Sequence, residues 1–260
     1  MPNVRELRSL MRPGFAFPAL PDTEGTGQAE EGDPWETVPL GFQWSSTTHQ
    51  PAPFFAWTLD LNNGQVVLTE KDGGAGIWPV RGGRSAGSPA MVAQTRQSRI
   101  FTAGDDGDLQ LGVSWPVPRF SDHGDGTVSD HLTGLLWLDD AGCLDAANLG
   151  TAVSAAAALY DGCPDCGGTD GDCGLSDGSV HGDWRLPNVL ELYSLIRHGL
   201  DNSPPVPDTA GLGHWSEGDP FSNLLSECYY SSTAGHVVDM ALGSETLSGV
   251  CDVVWPVKVP

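Results

Sequence analysis

Apolar side chains recur at Val189, Leu192, Leu195 and Ile196 with polar residues between them. That is the one-sided stripe of a short amphipathic helix. Pro187 suits its first turn, Arg197 and His198 sit at its carboxyl end, and Gly199 is placed to cap it. The same stripe opens the chain, at Val4, Leu7, Leu10 and Met11. Both stripes are predicted to be core. A second type of helix is expected over 145–160, an alanine-rich stretch with Val153, Ala156, Ala157 and Tyr160 at helical spacing, ended by Gly162.

Elsewhere the pattern is one of short strands. Thr127 with Val128, and residues 135–138, are strand-prone and punctuated by Gly124, Asp125, Gly126 and Gly134. Residues 54–61 and 65–69 flank Asn62-Asn63-Gly64, and Asn-Gly is a strong hairpin signal. Short antiparallel strands packed with two helices predict an α+β fold rather than alternating βαβ units.

The two amphipathic stripes belong to a longer repetition. MPNVRELRSLMRPG (1–14) returns as LPNVLELYSLIRHG (186–199), EGDPW (31–35) as EGDPF (217–221), WSST (44–47) as YSST (230–233), and WPVR (78–81) as WPVK (255–258). Four blocks in one order are a tandem domain repeat. The second copy carries a front segment, about 118–185, with no counterpart before Met1. The expected organisation is therefore a C-terminal half-domain at 1–82, a linker at 83–117 and a complete domain at 118–260. Met1 falls in mid-motif, so a late start is expected, and any secretory signal would be lost with the missing front.

Charge narrows the partners. The chain has 34 acidic and 12 basic residues, net −22, and residues 118–260 alone hold 21 acidic against 4 basic. Such a surface repels nucleic acid and anionic lipid. No apolar run approaches the roughly 18 residues of a membrane helix, so direct membrane insertion is not expected. All six cysteines, Cys143, Cys163, Cys166, Cys173, Cys228 and Cys251, lie in the second domain. An even count there favours disulfides and an oxidising compartment, with the pairing left open. Cys163-x-x-Cys166 is also readable as half a zinc site or a redox pair, but no second pair of ligands at zinc spacing exists.

The blocks GDGTVSDHLTGLLWL (124–138), GDWRLPNVLEL (182–192), YSST and WPVK together resemble the Lcl C-terminal domain family, named for a Legionella collagen-like adhesin. The resemblance covers 118–260 and the C-terminal half of the pattern in 1–82. It implies a secreted or surface-attached bacterial protein, a C-type-lectin-like α+β fold, and a role in adhesion or ligand binding. The net charge opposes a polyanionic ligand. The copies also part company after the SST block, where Ala56-Trp57 and the Asn-Gly hairpin of the first face Val237, Val238, Asp239 and Met240 of the second.

No zinc-protease motif or phosphate-binding loop is present. Ser45, Ser46, Ser231 and Ser232 are the tempting nucleophiles, but no histidine recurs as a base beside both pairs, and a serine nucleophile needs one. A structural role as hydrogen-bonding hydroxyls is expected. Asp183 and Arg185 are expected to pair, carboxylate to guanidinium, under the Trp184 indole and so fix the entry to the helix, with a catalytic acid as the alternative. Asp161, Asp165, Asp170, Asp172 and Asp177 crowd one Gly-rich loop, and Asp122, Asp125 and Asp130 another. Such loops supply the oxygens Ca2+ takes, although neither has EF-hand spacing; a solvated acidic loop is the alternative. Aromatic and polar residues at Trp35, Trp44, Trp215, Phe221, Tyr230, Ser231 and Ser232 are the candidate ligand-binding set, because indole and phenol faces suit sugar rings and protein surfaces. The expected function is a non-enzymatic extracellular or cell-surface binding module for a glycan or a surface protein. The alternative is a structural repeat of a larger envelope or secreted assembly.

Overall fold

The computed structural model describes residues 1–37, 40–81, 92–167, 173–247 and 250–260. Among these residues it contains fourteen strands in several sheets and four short helices, an α+β architecture. The chain divides into two compact units, residues 1–114 with 197–201, and residues 115–196 with 202–260.

The first unit runs α1 (Val4–Arg8), β1 (Glu30–Glu31), β2 (Pro34–Trp35), β3 (Phe42–Thr48), β4 (Phe55–Asp60), β5 (Val66–Glu70) and α2 (Asp106–Leu109). Strands β3, β4 and β5 form an antiparallel meander in that order. The Asn-Gly turn sits where predicted, with Gly64 at φ +80° and the Asp60 carboxylate accepting from both the backbone and side-chain amides of Asn62. Val4, Leu7, Leu59, Leu61 and Val66 are fully buried. Trp57 is buried with its ring edge-on to His49 and His198 at 5.7 and 5.2 Å. Burial, with Arg5 and His49 adding positive potential, holds His198 well below the ordinary imidazole range, so it is neutral at physiological pH.

The expected linker is in large part a member of this unit. Thr95 and Thr47 both donate to Asp106 Oδ2, at 2.6 and 2.7 Å, and the Thr48 amide donates to Gln97 Oε1 at 2.9 Å. These polar side-chain contacts bind the segment to β3, and periodicity does not register them. Residues 82–91 lie outside the described residues.

The second unit runs β6 (Phe120–Asp122), β7 (Thr127–Asp130), β8 (Leu135–Leu138), β9 (Leu144–Asp145), α3 (Leu149–Ala158), α4 (Val189–Ser194), β10 (Cys228–Tyr230), β11 (His236–Asp239), β12 (Ser244–Leu247), β13 (Val253–Val254) and β14 (Val257–Lys258). One sheet has the order β14-β8-β7-β6, the other β12-β11-β10-β13-β9. Trp137, Trp255, Phe120, Phe221 and Tyr229 form its aromatic core, and Trp255 donates to the Leu138 carbonyl at 2.8 Å. Arg119, wholly buried, reaches Asp130 through two nitrogens and the Ser194 carbonyl through Nη2, with its guanidinium 4.1 Å from the Trp115 ring centre.

The closing WPV block differs between the copies. In the second unit it continues into β14, which pairs with β8, and Trp255 is buried. In the first unit Trp78 to Val80 form no strand, and half-buried Trp78 packs edge-on to Trp35 at 4.7 Å.

Two sequence expectations change. Helix α4 stops at Ser194, so Gly199 is not its cap. Gly199 instead lies against the backbone of Arg96, where an added Cβ would fall 2.1 Å from the carbonyl oxygen. Asp183 does not pair with Arg185 either. It accepts from the Val180 amide, while Arg185 makes a bidentate pair with Glu191, at 2.8 and 2.6 Å.

Candidate functional site: the pockets beside the SST blocks

The repeated hydroxyls perform the same task in both copies. Asn3 and Asn188 cap α1 and α4, each in a capping box closed by Glu6 or Glu191. Helix amides left without intrahelical partners need acceptors. Thr47 Oγ1 accepts from the Val4 amide at 3.0 Å, and Thr233 Oγ1 from the Val189 amide at 3.1 Å. Ser46 and Ser232 amides donate to the Pro2 and Pro187 carbonyls, each at 2.8 Å. Ser45 and Ser231 donate to the Trp57 and His236 carbonyls, each at 2.7 Å. The SST block is therefore a clasp between strand and helix start, and Ser45 and Ser231 hold carbonyls rather than a base.

The same bonds align the copies beyond the point where sequence matching ends. Trp57 of the first stands where His236 stands in the second, after a connection of 12 residues from the serine rather than 5. Trp57 meets two imidazoles, whereas His236 Nδ1 lies 2.7 Å from the buried Glu245 carboxylate.

A pocket opens beside each clasp. In the first unit it measures about 370 Å³ and is lined by Trp44, Ser46, Thr48, Ala56, Lys71 and Ile77 with the 102–105 backbone. In the second unit a pocket of about 200 Å³ is lined by Tyr230, Ser231, Thr233, His236 and Val237 with residues of the α3 N-terminus. The larger lies within the range of small-molecule sites. Lys71 Nζ donates to Thr48 Oγ1 at 2.9 Å and stands 5.6 Å from the Phe101 ring centre. Partial burial lowers its pKa, against the pull of Asp105. Lys71 is one of two lysines in the chain, the other being Lys258, which is bonded to Asp177. Periodicity gives no sign of Lys71; its rarity is the only signal the sequence carries.

The predicted ligand-binding residues do not form one surface. Trp44 and Tyr230 line the pockets of their own units. Ser231 lines the second but is spent on the clasp, and Ser232 is exposed. Phe221 is wholly buried against Phe120 and Trp255, so it offers no surface. Half-buried Trp215 donates to the Phe221 carbonyl at 2.8 Å, stapling its own loop. Trp35 packs on Trp78.

The cysteines pair as Cys143–Cys173, Cys163–Cys166 and Cys228–Cys251. Asp170 and Asp172 lie outside the described residues. Asp161 accepts from the Gly178 amide, Asp177 binds Ser179 and Lys258, and Asp165 is exposed. Of the other acidic loop, Asp130 holds Arg119 and Asp125 accepts from Thr127. Among the described residues no three His, Cys, Asp or Glu side chains converge as a metal site. No described helix is long and apolar enough to cross a membrane. No protein-family model, no curated protein and no solved structure matches this chain.

Proposed function

We propose that this chain is a non-enzymatic binding module of the Lcl C-terminal type, related to C-type-lectin-like domains and displayed outside the cell, where three disulfides persist. Its two copies recognise a glycan or surface protein through the pockets beside the SST clasps. The observation that carries this reading is the division of labour at each clasp. The shared hydroxyls of Ser45, Thr47, Ser231 and Thr233 are consumed in holding the block to its neighbours, while the adjoining pocket walls differ between copies. Most of the shared hydroxyls thus serve the scaffold, and the divergent walls are left to choose ligands. Neither clasp serine has a base aligned with it, which supports binding over acyl-transfer chemistry.

The test is a glycan and surface-protein array probed with the intact chain and with Trp44→Ala, each shown by circular dichroism to be folded. Specific binding weakened by Trp44→Ala is expected. Folded protein that binds nothing on either array overturns the reading.

One observation favours a second reading, a structural repeat in a larger assembly. Large apolar side chains of the first unit stand in solvent, among them Phe17 at 73%, Ile77 at 66% and Phe54 at 63% exposure. Exposed apolar side chains of this size are available to pack against a neighbour. Reversible self-association by light scattering that Phe54→Ser abolishes, with silent arrays, is the outcome that would favour it.

A further inference from the structure

The first-unit pocket has an unequal stock of hydrogen-bonding groups once its internal bonds are assigned. Ser45 is spent: its hydroxyl donates to Trp57 and accepts from the Thr47 amide. The Asp105 carboxylate accepts from the amides of Phe101, Thr102 and Asp108, which leaves it little to offer. Lys71 uses one of its three N–H donors on Thr48, and among the described residues no carboxylate lies within ion-pair distance of Nζ. Thr48 accepts that bond through Oγ1 and keeps its own proton to donate. Ser46 is only 7% exposed, lines the pocket, and its hydroxyl has no protein partner among the described residues. The remaining groups are two further Lys71 N–H donors and the hydroxyls of Ser46, Thr48 and Thr102, each able to donate, and the walls around them are Met1, Trp44, Ala56, Ile77 and Ala103.

A donor-rich pocket with apolar walls asks for a ligand with oxygen acceptors on an apolar body. Charge-assisted bonds are about twice as strong as neutral ones, so a carboxylate gains most. The chain's distant negative charges weigh little at this distance scale, and the Asp105 carboxylate in the pocket lining is engaged by three backbone amides. Residues 1–117 carry only 13 acidic against 8 basic side chains, and exposed charges beyond about 8 Å are largely screened at physiological ionic strength.

We infer that the pocket beside Ser46 and Lys71 binds a compact monocarboxylate with an apolar body, its carboxylate taken by Lys71 Nζ and the hydroxyls of Ser46 and Thr48. The inference rests on the binding-module reading and names the ligand class of its larger site. The same carboxylate on an apolar body is available from a free acid or a peptide C-terminus.

The experiment is calorimetric titration of the intact chain with phenylacetate and with a free-carboxyl pentapeptide ending in phenylalanine. Each acid is paired with its amide. The expected result is saturable binding of at least one acid, about tenfold or more tighter than its amide. It should be lost in Lys71→Met, weakened in Ser46→Ala, and unchanged in Lys258→Met. The arm that binds identifies the source. Lys71 is exposed, so Lys71→Met is expected to fold, and ligand protection of Lys71 from an amine-reactive label gives a second readout on the unmodified sequence. Equal affinity for acid and amide, acid binding that survives Lys71→Met, or no binding of any acid each overturns the inference. If array binding still falls in Trp44→Ala, only the ligand class is wrong. If Trp44→Ala leaves array binding intact, the pocket reading falls as well.

Discussion

Asp106 is the residue on which the stability of the first unit should turn with pH. It is 2% exposed and receives two hydroxyl bonds, from Thr47 and Thr95, but no cation among the described residues. Burial, with Glu6 and Asp105 nearby, pushes its pKa from 3.8 to about 6. A carboxyl raised in the folded state binds its proton more tightly there than in the unfolded chain. Its contribution is therefore greatest below pH 3.8 and is lost as pH rises through about 6. The shift of roughly two units corresponds to about 3 kcal/mol at neutral pH, of which about 2 kcal/mol is lost between pH 4.5 and 7.5. Asp106→Asn keeps an oxygen for the two threonines and removes the charge. The variant should be more stable than the parent by about 2–3 kcal/mol at pH 7.5, and by about 1 kcal/mol at pH 4.5. Hydrogen exchange of β3 and β4 amides at the two pH values reads this unit separately from the other. Equal pH dependence in parent and variant, or a variant destabilised at pH 7.5, would refute the account of Asp106 as a buried, uncompensated charge.

Three further outcomes follow from packing alone. All three disulfides lie in the second unit, and the two longer ones close separations of 30 and 23 residues. Chain entropy assigns about 3–4 kcal/mol to each, so a phosphine reductant should lower exchange protection in β10–β13 and leave β3–β5 unchanged. Thr233→Val removes the acceptor of the Val189 amide and should cost about 1 kcal/mol in urea unfolding, with Thr47→Val costing more because Thr47 also holds Asp106. Asp130→Asn strips the wholly buried Arg119 of its counter-charge and should cost about 3–5 kcal/mol, whereas Arg119→Met with Asp130→Leu should come close to the parent.

Where apolar period and turn chemistry act locally, the fold was legible from sequence. The stripes of Val4, Leu7 and Val189, Leu192 are buried helices, and Asn62-Asn63-Gly64 is a hairpin turn. Long-range polar contacts were not legible. Thr95, Gln97 and Asp106 attach an expected linker to β3 through side-chain hydrogen bonds, which leave no periodic trace. Gly199 reads as a helix cap by position, yet it serves a close approach to Arg96 that only the fold creates. The candidate site was half legible. Trp44 and Tyr230 were visible as aromatics preceding the SST block, but Lys71 lies on another part of the meander, and sequence spacing does not bring it to Thr48.

The clasp also changes what repetition implies about function. A block kept in both copies invites the reading of a shared active site, and paired serines strengthen it. Here the hydroxyls of Ser45, Thr47, Ser231 and Thr233 each have a structural partner, and the middle serines Ser46 and Ser232 have none among the described residues. Losing a buried acceptor leaves a helix amide unsatisfied, at about 1–3 kcal/mol, which is reason enough for two copies to keep the same residues whatever they bind. Beyond the clasp that constraint is absent. Trp57 and His236 occupy equivalent places with unrelated neighbours, and only the first pocket carries a lysine. Ligand preference is therefore expected to differ between the units, with the carboxylate-binding arm confined to the first.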